Sequence, residues 1–281
     1  MNFNLQMQKY IEVIDLDLKK YLQTAYPEII YKAVQYSAFS GGKRIRPVIL
    51  LATCDMFGGK REDALPFACA LEMIHTYSLI HDDLPALDDD SERRGKPTNH
   101  VVFGEGMALL AGDALLNLAY EAMSNFCVDS SDKPHFIKSM AKIANYAGIT
   151  GMIGGQVMDV CLENSSATID EIKYIYKNKT SKLFMAAFGC AALIAKQDDD
   201  TVNIMENIGF ELGIAFQLKD DLLDLEGDQE IGKPTYAAAI GLEAATKMHD
   251  DLSASAIGKL KKLKNSEFMV ALAENLLHRT R

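Results

Sequence analysis

Two stretches hold carboxylates too close together to ignore one another. HDDLPALDDDSERRGK, His81 to Lys96, places Asp82, Asp83, Asp88, Asp89, Asp90 and Glu92 within a few turns of chain, then Arg93, Arg94 and Lys96. QLKDDLLDLEGD, Gln217 to Asp228, adds Asp220, Asp221 and Asp224. On a helix, Asp220 and Asp224 lie within about 40° of each other, where like charges repel and destabilise. A bound divalent cation reverses that sign. An isolated DDxxD is often a solvated acidic face, but the flanks GIAF and LLDL are apolar, and charges on a largely buried helix face a polar cavity or a metal. Donors that are all oxygen, without His or Cys, suit Mg²⁺, which takes one or two carboxylates and leaves its other positions to water and phosphate.

The first cluster does not fit a straight helix, because residues six apart, such as Asp82 and Asp88, point about 120° away from each other. Pro85 resolves this by disfavouring helical geometry at Leu84, so that Asp88 can fold back towards Asp82. With arginines directly behind the acids, the pattern predicts acids that hold Mg²⁺, Mg²⁺ that holds a phosphate-bearing anion, and cations that grip the same anion from the far side. FSGGKRIRP, Phe39 to Pro47, is a second basic segment, in which Lys43 and Arg46 share a helix face and two glycines open backbone N–H groups to an anion. It lacks the GxxxxGK[ST] pattern of a P-loop, and taken alone it also reads as solvated surface. His75 precedes Asp82 by two turns and shares its face, although a lone histidine on an apolar helix is often a core residue.

The elements that must position these groups read as helices throughout. Apolar residues recur at spacings of three and four through ALPFACALEMIHTYSLIHDD, MALLAGDALLNLAYEAM and IMENIGFELGIAFQLKDDLLDL. Alternating strand patterns are almost absent. Breaks at Tyr26-Pro27, Phe57–Gly59, 128–134, 163–168, 197–200 and 227–234 divide the chain into about ten or eleven helices. None resembles a linker, so the expected architecture is all-α: one large helical bundle over residues 1–281, with side chains from several helices converging on a central cavity.

Composition excludes several classes. The net charge of −10 repels nucleic acid and anionic membranes. The longest apolar run, Phe184 to Ala195, is too short to span a bilayer and reads as a buried helix. Cys54, Cys69, Cys127, Cys161 and Cys190 form no CxxC pair, which fits free thiols in a reducing cytosol. Charges near the amino terminus interrupt any signal-like stretch, so a cytoplasmic protein is expected.

HDDLPALDDDSERRGKPT resembles the first aspartate-rich motif of the trans-isoprenyl diphosphate synthases. FQLKDDLLD resembles their second, and GGKRIRP, GGQVMD and KT are similar to their other signatures, in the same order over nearly the whole chain. The resemblance implies an all-α homodimer joining isopentenyl diphosphate to allylic diphosphates with Mg²⁺, three ions per active site. It implies Asp82 and Asp88 as ligands of two ions and Asp220 of a third, with Asp83, Asp221 and Asp224 ligating or supporting them. It implies Lys43, Arg46, His75 and Arg94 around isopentenyl diphosphate, and Arg93, Lys179, Gln217 and Lys233 around the allylic diphosphate. Thr180 and Gln217 match residues whose oxygens face a carbocation, and Gln156 and Asp159 match a supporting motif.

Tyr77 lies five residues before Asp82, roughly 7–8 Å along the axis, where its ring would block a growing chain and the small Ser78 would not. An aromatic there, with two extra residues in DDLPALD, resembles bacterial farnesyl diphosphate synthases, so a C15 product is expected. The alternatives are a geranyl or geranylgeranyl diphosphate synthase, or a non-catalytic subunit of a partner synthase. The segment GDQEIGKPTY is shorter than its counterparts and carries only Lys233.

Overall fold

The computed structural model describes residues 2–131, 133–162, 167–223 and 235–277. Asp224, Lys233 and the residues between them lie outside the described residues. Fourteen α-helices occur among the described residues. In chain order they are α1 (Phe3–Tyr21), α2 (Glu28–Ala38), α3 (Ile45–Met56), α4 (Arg61–Asp82), α5 (Asn99–Phe103), α6 (Glu105–Asp129), α7 (Lys133–Ala147), α8 (Met152–Leu162), α9 (Ile169–Ile175), α10 (Lys182–Ile194), α11 (Asp199–Leu223), α12 (Tyr236–Ile240), α13 (Leu242–Leu260) and α14 (Glu267–Leu277). The count exceeds the ten or eleven expected because positive-φ glycines split apparent single helices: Gly104 separates α5 from α6, and Gly241 separates α12 from α13.

The all-α class expected from periodicity holds. The one described sheet is a hairpin of two-residue strands, β1 (Glu92–Arg93) and β2 (Lys96–Pro97), with Glu92 opposite Pro97. Its turn residues Arg94 and Gly95 both have positive φ, 57° and 72°. Two such residues are the requirement of a tight type I′ turn.

The apolar stretch FMAAFGCAALI forms α10 at the middle of the molecule, touching α3, α4, α7 and α11. Leu183, Phe184, Phe188 and Cys190 are essentially inaccessible, and each large side chain buried this way contributes about 1.5–3 kcal/mol. Small residues let α11 approach closely: a Cβ on Gly209 would stand 2.8 Å from the Met185 Cα. One continuous apolar core runs from Tyr10 in α1 to Leu277 in α14. Among the described residues no helix is long and apolar enough to cross a membrane. All five cysteines are free thiols, and only Cys161 is exposed.

Between α9 and α10 the helix widens into a π-segment, Tyr176–Ser181, whose sequence is YKNKTS. Such π-bulges recur at functional sites, and this one carries Lys179 and Thr180. A Cβ on Gly155 of α8 would lie 2.2 Å from the Lys179 backbone nitrogen, and one on Gly213 of α11 would lie 2.5 Å from the Ser181 Cα. The widened turn is therefore wedged between two helices that touch it through glycines.

Candidate active site

The ends of α4, α8 and α11, the π-segment and the loop before α3 surround a cavity of about 1170 Å³. Its lining includes Lys43, Arg46, His75, Asp82, Asp88, Arg93, Arg94, Gln156, Lys179, Thr180, Gln217 and Asp220. Tyr77, Ser78, Met152, Leu183 and Phe216 supply apolar or small surface to the same space.

The α4 helix ends at Asp82, three residues before Pro85. The chain then turns back, and the Asp88 backbone N–H donates to the Asp82 carbonyl at 2.9 Å. That bond brings the two aspartates together, as Pro85 predicts. Burial pushes the Asp82 carboxyl up to about 6, with Lys179 drawing it down and Asp88 pushing it further up. Burial also raises Asp88. These carboxylates are held where negative charge is disfavoured unless cations join them.

The neighbouring acids behave differently. Asp83 is buried outside the cavity lining and accepts from the Arg93 guanidinium at 2.6 Å. Asp221 is 1 % exposed, with one oxygen accepting from the Tyr176 hydroxyl and the other from the Gln217 amide at 3.2 Å. Tyr176 is a residue that sequence reasoning missed: it lies one turn before Thr180, but only the fold sets it against α11. Among the described residues, no three acids, histidines or cysteines form a ready-made ion cage. Asp82, Asp88 and Asp220 instead present oxygens at the edge of an open space.

On the cationic side, Arg46 makes no salt bridge among the described residues. Its guanidinium stands over the Phe184 ring at 5.1 Å, with Nη1 3.4 Å from His75 Nε2. Burial lowers Arg46 to about 10, with Glu72 opposing that fall and Arg94 adding to it. Burial, reinforced by Arg46 and Arg94, holds His75 well below the usual imidazole range, so it is neutral at pH 7. Arg93 is shared between Asp83 and, at 3.4 Å, Asp90. Arg94 lies over Gly42 and donates to the Gly41 carbonyl, joining the β1–β2 turn to the glycine loop. Lys179 pairs with Asp159 at 2.5 Å. The Thr180 hydroxyl donates to Gln217 Oε1 at 2.8 Å, which leaves its own lone pairs directed elsewhere.

One of the lining residues is a tyrosine on α4, Tyr77. Tyr77 is 5 % exposed, its ring meets His81 edge-on at 5.7 Å, and its hydroxyl has no hydrogen-bond partner among the described residues. Ser78 instead bonds back to the His75 carbonyl at 2.9 Å.

The polyprenyl synthetase family model matches residues 27–239. The chain belongs to that family. It is therefore a prenyltransferase by membership, and its relatives carry more than one product name. A farnesyl diphosphate synthase of Geobacillus stearothermophilus is 41 % identical, with 83 % of each chain covered. A geranylgeranyl diphosphate synthase of Cyanophora paradoxa is 39 % identical, covering 99 % of this chain and 97 % of the relative. The crystal structure of an FPP/GFPP synthase from Zymomonas mobilis superposes with a TM-score of 0.91 at 33 % identity, covering 98 % of this chain and 99 % of that one.

Proposed function

We propose that the protein condenses isopentenyl diphosphate with dimethylallyl and geranyl diphosphates and stops at the C15 product, farnesyl diphosphate. The observation that carries this reading is one cavity lined by Asp82 at the end of α4, Asp88 in the turn after it and Asp220 in the last turn of α11, together with Lys43, Arg46 and Arg94. The acids repel a diphosphate unless divalent cations intervene, and the cations attract one directly.

The donor set fits Mg²⁺: carboxylate oxygens, no ready-made cage, and room for diphosphate oxygens to complete the coordination. Asp82, Asp88 and Asp220 would hold the ions, with Asp224 outside the described residues. Asp83 and Asp221, each tied to a neighbour, would support them. Magnesium would supply stabilisation of the negative charge that develops on the leaving diphosphate. Arg93 and Lys179 share that task, so the allylic C–O bond breaks to leave diphosphate and an allylic cation. The Thr180 and Gln217 oxygens face that cation. Lys43, Arg46, His75 and Arg94 hold isopentenyl diphosphate so that its double bond attacks. The new cation then loses a proton to the departed diphosphate, which accounts for the lack of a dedicated basic side chain. The apolar walls keep out water that would otherwise quench the cation.

Tyr77 closes the floor beneath this chemistry and sets C15 as the limit. A second reading, a geranylgeranyl diphosphate synthase, is supported by the Cyanophora relative. A non-catalytic subunit is disfavoured, because Asp82, Asp88 and Asp220 all line the cavity. The test is incubation with isopentenyl and geranyl diphosphates and Mg²⁺, with and without chelator. The expected result is a farnesyl product that disappears with chelation. Turnover that persists in chelator removes the metal from the mechanism, and a C20 end product selects the second reading.

A further inference from the structure

Lys43 and Arg46 have long, flexible side chains, and neither pairs with a carboxylate among the described residues. Their placement therefore depends on the backbone between α2 and α3. That backbone is unusual: Gly41, Gly42 and Arg44 have φ of 98°, 129° and 48°. Arginine gains nothing from the left-handed region by itself, and non-glycine residues stay there when surrounding contacts over-determine them.

Arg94 holds the Gly41 carbonyl from the β1–β2 turn, and the Arg44 carbonyl accepts from the Val48 N–H; the contacts that reach other helices come from the Arg44 side chain, which is 4 % exposed. Nε donates to Asp15 of α1 at 2.9 Å, Nη1 to Glu72 of α4 at 2.7 Å, and Nη2 to the Ala38 carbonyl at the end of α2 at 2.5 Å. Three helices are thus gripped by one planar fork, a task for which lysine lacks the geometry. Glu72 lies one turn before His75 on α4. The same fork therefore fixes the glycine loop relative to the histidine that Arg46 meets at 3.4 Å.

We propose that Arg44 is a positioning residue for isopentenyl diphosphate recognition, holding the glycine loop in the one backbone conformation that presents Lys43 and Arg46 to the cavity. This rests on the placement of isopentenyl diphosphate at those two residues. Arg44 belongs to the cavity lining, but its guanidinium is committed to Asp15, Glu72 and the Ala38 carbonyl, so it acts through its neighbours.

The test compares steady-state kinetics of Arg44→Met, Arg44→Lys and Lys43→Ala on the full chain. Arg44→Met strands two carboxylates, one of them buried, so the pair Arg44→Met with Glu72→Met is measured alongside it; exchanging a buried ion pair for apolar side chains preserves folding. In variants that melt cooperatively, the KM for isopentenyl diphosphate is expected to rise about tenfold or more, since small misplacements of binding groups have effects of that order. In the Arg44 variants kcat and the KM for geranyl diphosphate stay within about threefold. Arg44→Lys is expected to recover only part of the loss. A folded Arg44→Met/Glu72→Met protein with wild-type KM for isopentenyl diphosphate overturns the proposal, as does an equal loss in both substrates' KM. If Lys43→Ala leaves that KM unchanged, the site placement falls, and this inference with it.

Discussion

At the residue scale, the site stores electrostatic cost in Asp82. Its carboxyl is raised to about 6 from an ordinary 3.8, chiefly by burial. Well below pH 4 it is protonated in both folded and unfolded chains and costs nothing. As pH rises towards 6 the unfolded chain ionises first, so stability is lost across that window and the loss is constant above it. Asp82→Asn in chelator is therefore expected to be more stable than wild type at pH 7, by about 2–3 kcal/mol at most, and to lose that advantage near pH 4. Denaturant melts at the two pH values measure it; equal stability at pH 7 contradicts the burial argument. The same substitution is expected to abolish turnover, since a catalytic group can cost stability.

Tyr77 separates ring from hydroxyl. Its buried hydroxyl has no partner among the described residues, so Tyr77→Phe is expected to leave stability unchanged or improve it by up to about 1 kcal/mol, with product length unaltered. Tyr77→Ala removes the ring, and longer products should appear. Chromatography of the extracted prenyl alcohols reads both; an unchanged product from Tyr77→Ala places the floor elsewhere.

At the scale of elements, part of the design was legible in the sequence. Pro85 forces the end of α4 wherever the rest of the chain goes, and the Asp88–Asp82 backbone bond follows from that local rule. The length and apolarity of α10 likewise required burial. The π-segment was not legible, because YKNKTS carries no local signal for an extra residue per turn. Its width is decided by Gly155 and Gly213, which come from helices distant in sequence. Arg44 was hidden for the same reason. Three neighbouring cations look alike until Asp15 and Glu72 arrive from other helices to claim one of them. A Cβ at position 155 would sit 2.7 Å from the Lys179 Cα as well as against its nitrogen, and neither backbone atom can step aside cheaply. Gly155→Ala is expected to destabilise the protein by about 1–3 kcal/mol and to lower kcat more than about tenfold by moving Lys179 and Thr180. Thermal melts and single-turnover rates measure the two effects, and an unchanged rate would remove the wedge from the account of the site.

At the scale of the molecule, α6 buries Ala108, Ala111, Leu115 and Ala119 inward. Leu109 and Leu110 on the same helix, with Val101 and Val102 of α5, remain about half exposed. Exposed apolar side chains on adjoining helices offer a surface that a second copy of the chain would cover if the protein is the homodimer that the resemblance implies. Light scattering is expected to give twice the 31.0 kDa chain mass, and Leu109→Glu with Leu110→Glu should halve it. A monomeric wild-type protein would leave that face without the proposed partner.

The proposed chemistry requires that carboxylates from two helix ends, Asp82 and Asp88 with Asp220, meet through divalent cations on the allylic diphosphate. Crystals grown with Mn²⁺ in place of Mg²⁺ and a non-ionising allylic thiolodiphosphate test it most directly, because manganese is located by its anomalous scattering. Manganese is expected beside Asp82 and Asp88 and again beside Asp220, bridged by a single diphosphate. Manganese absent from either side, or a diphosphate bound away from both, would contradict it.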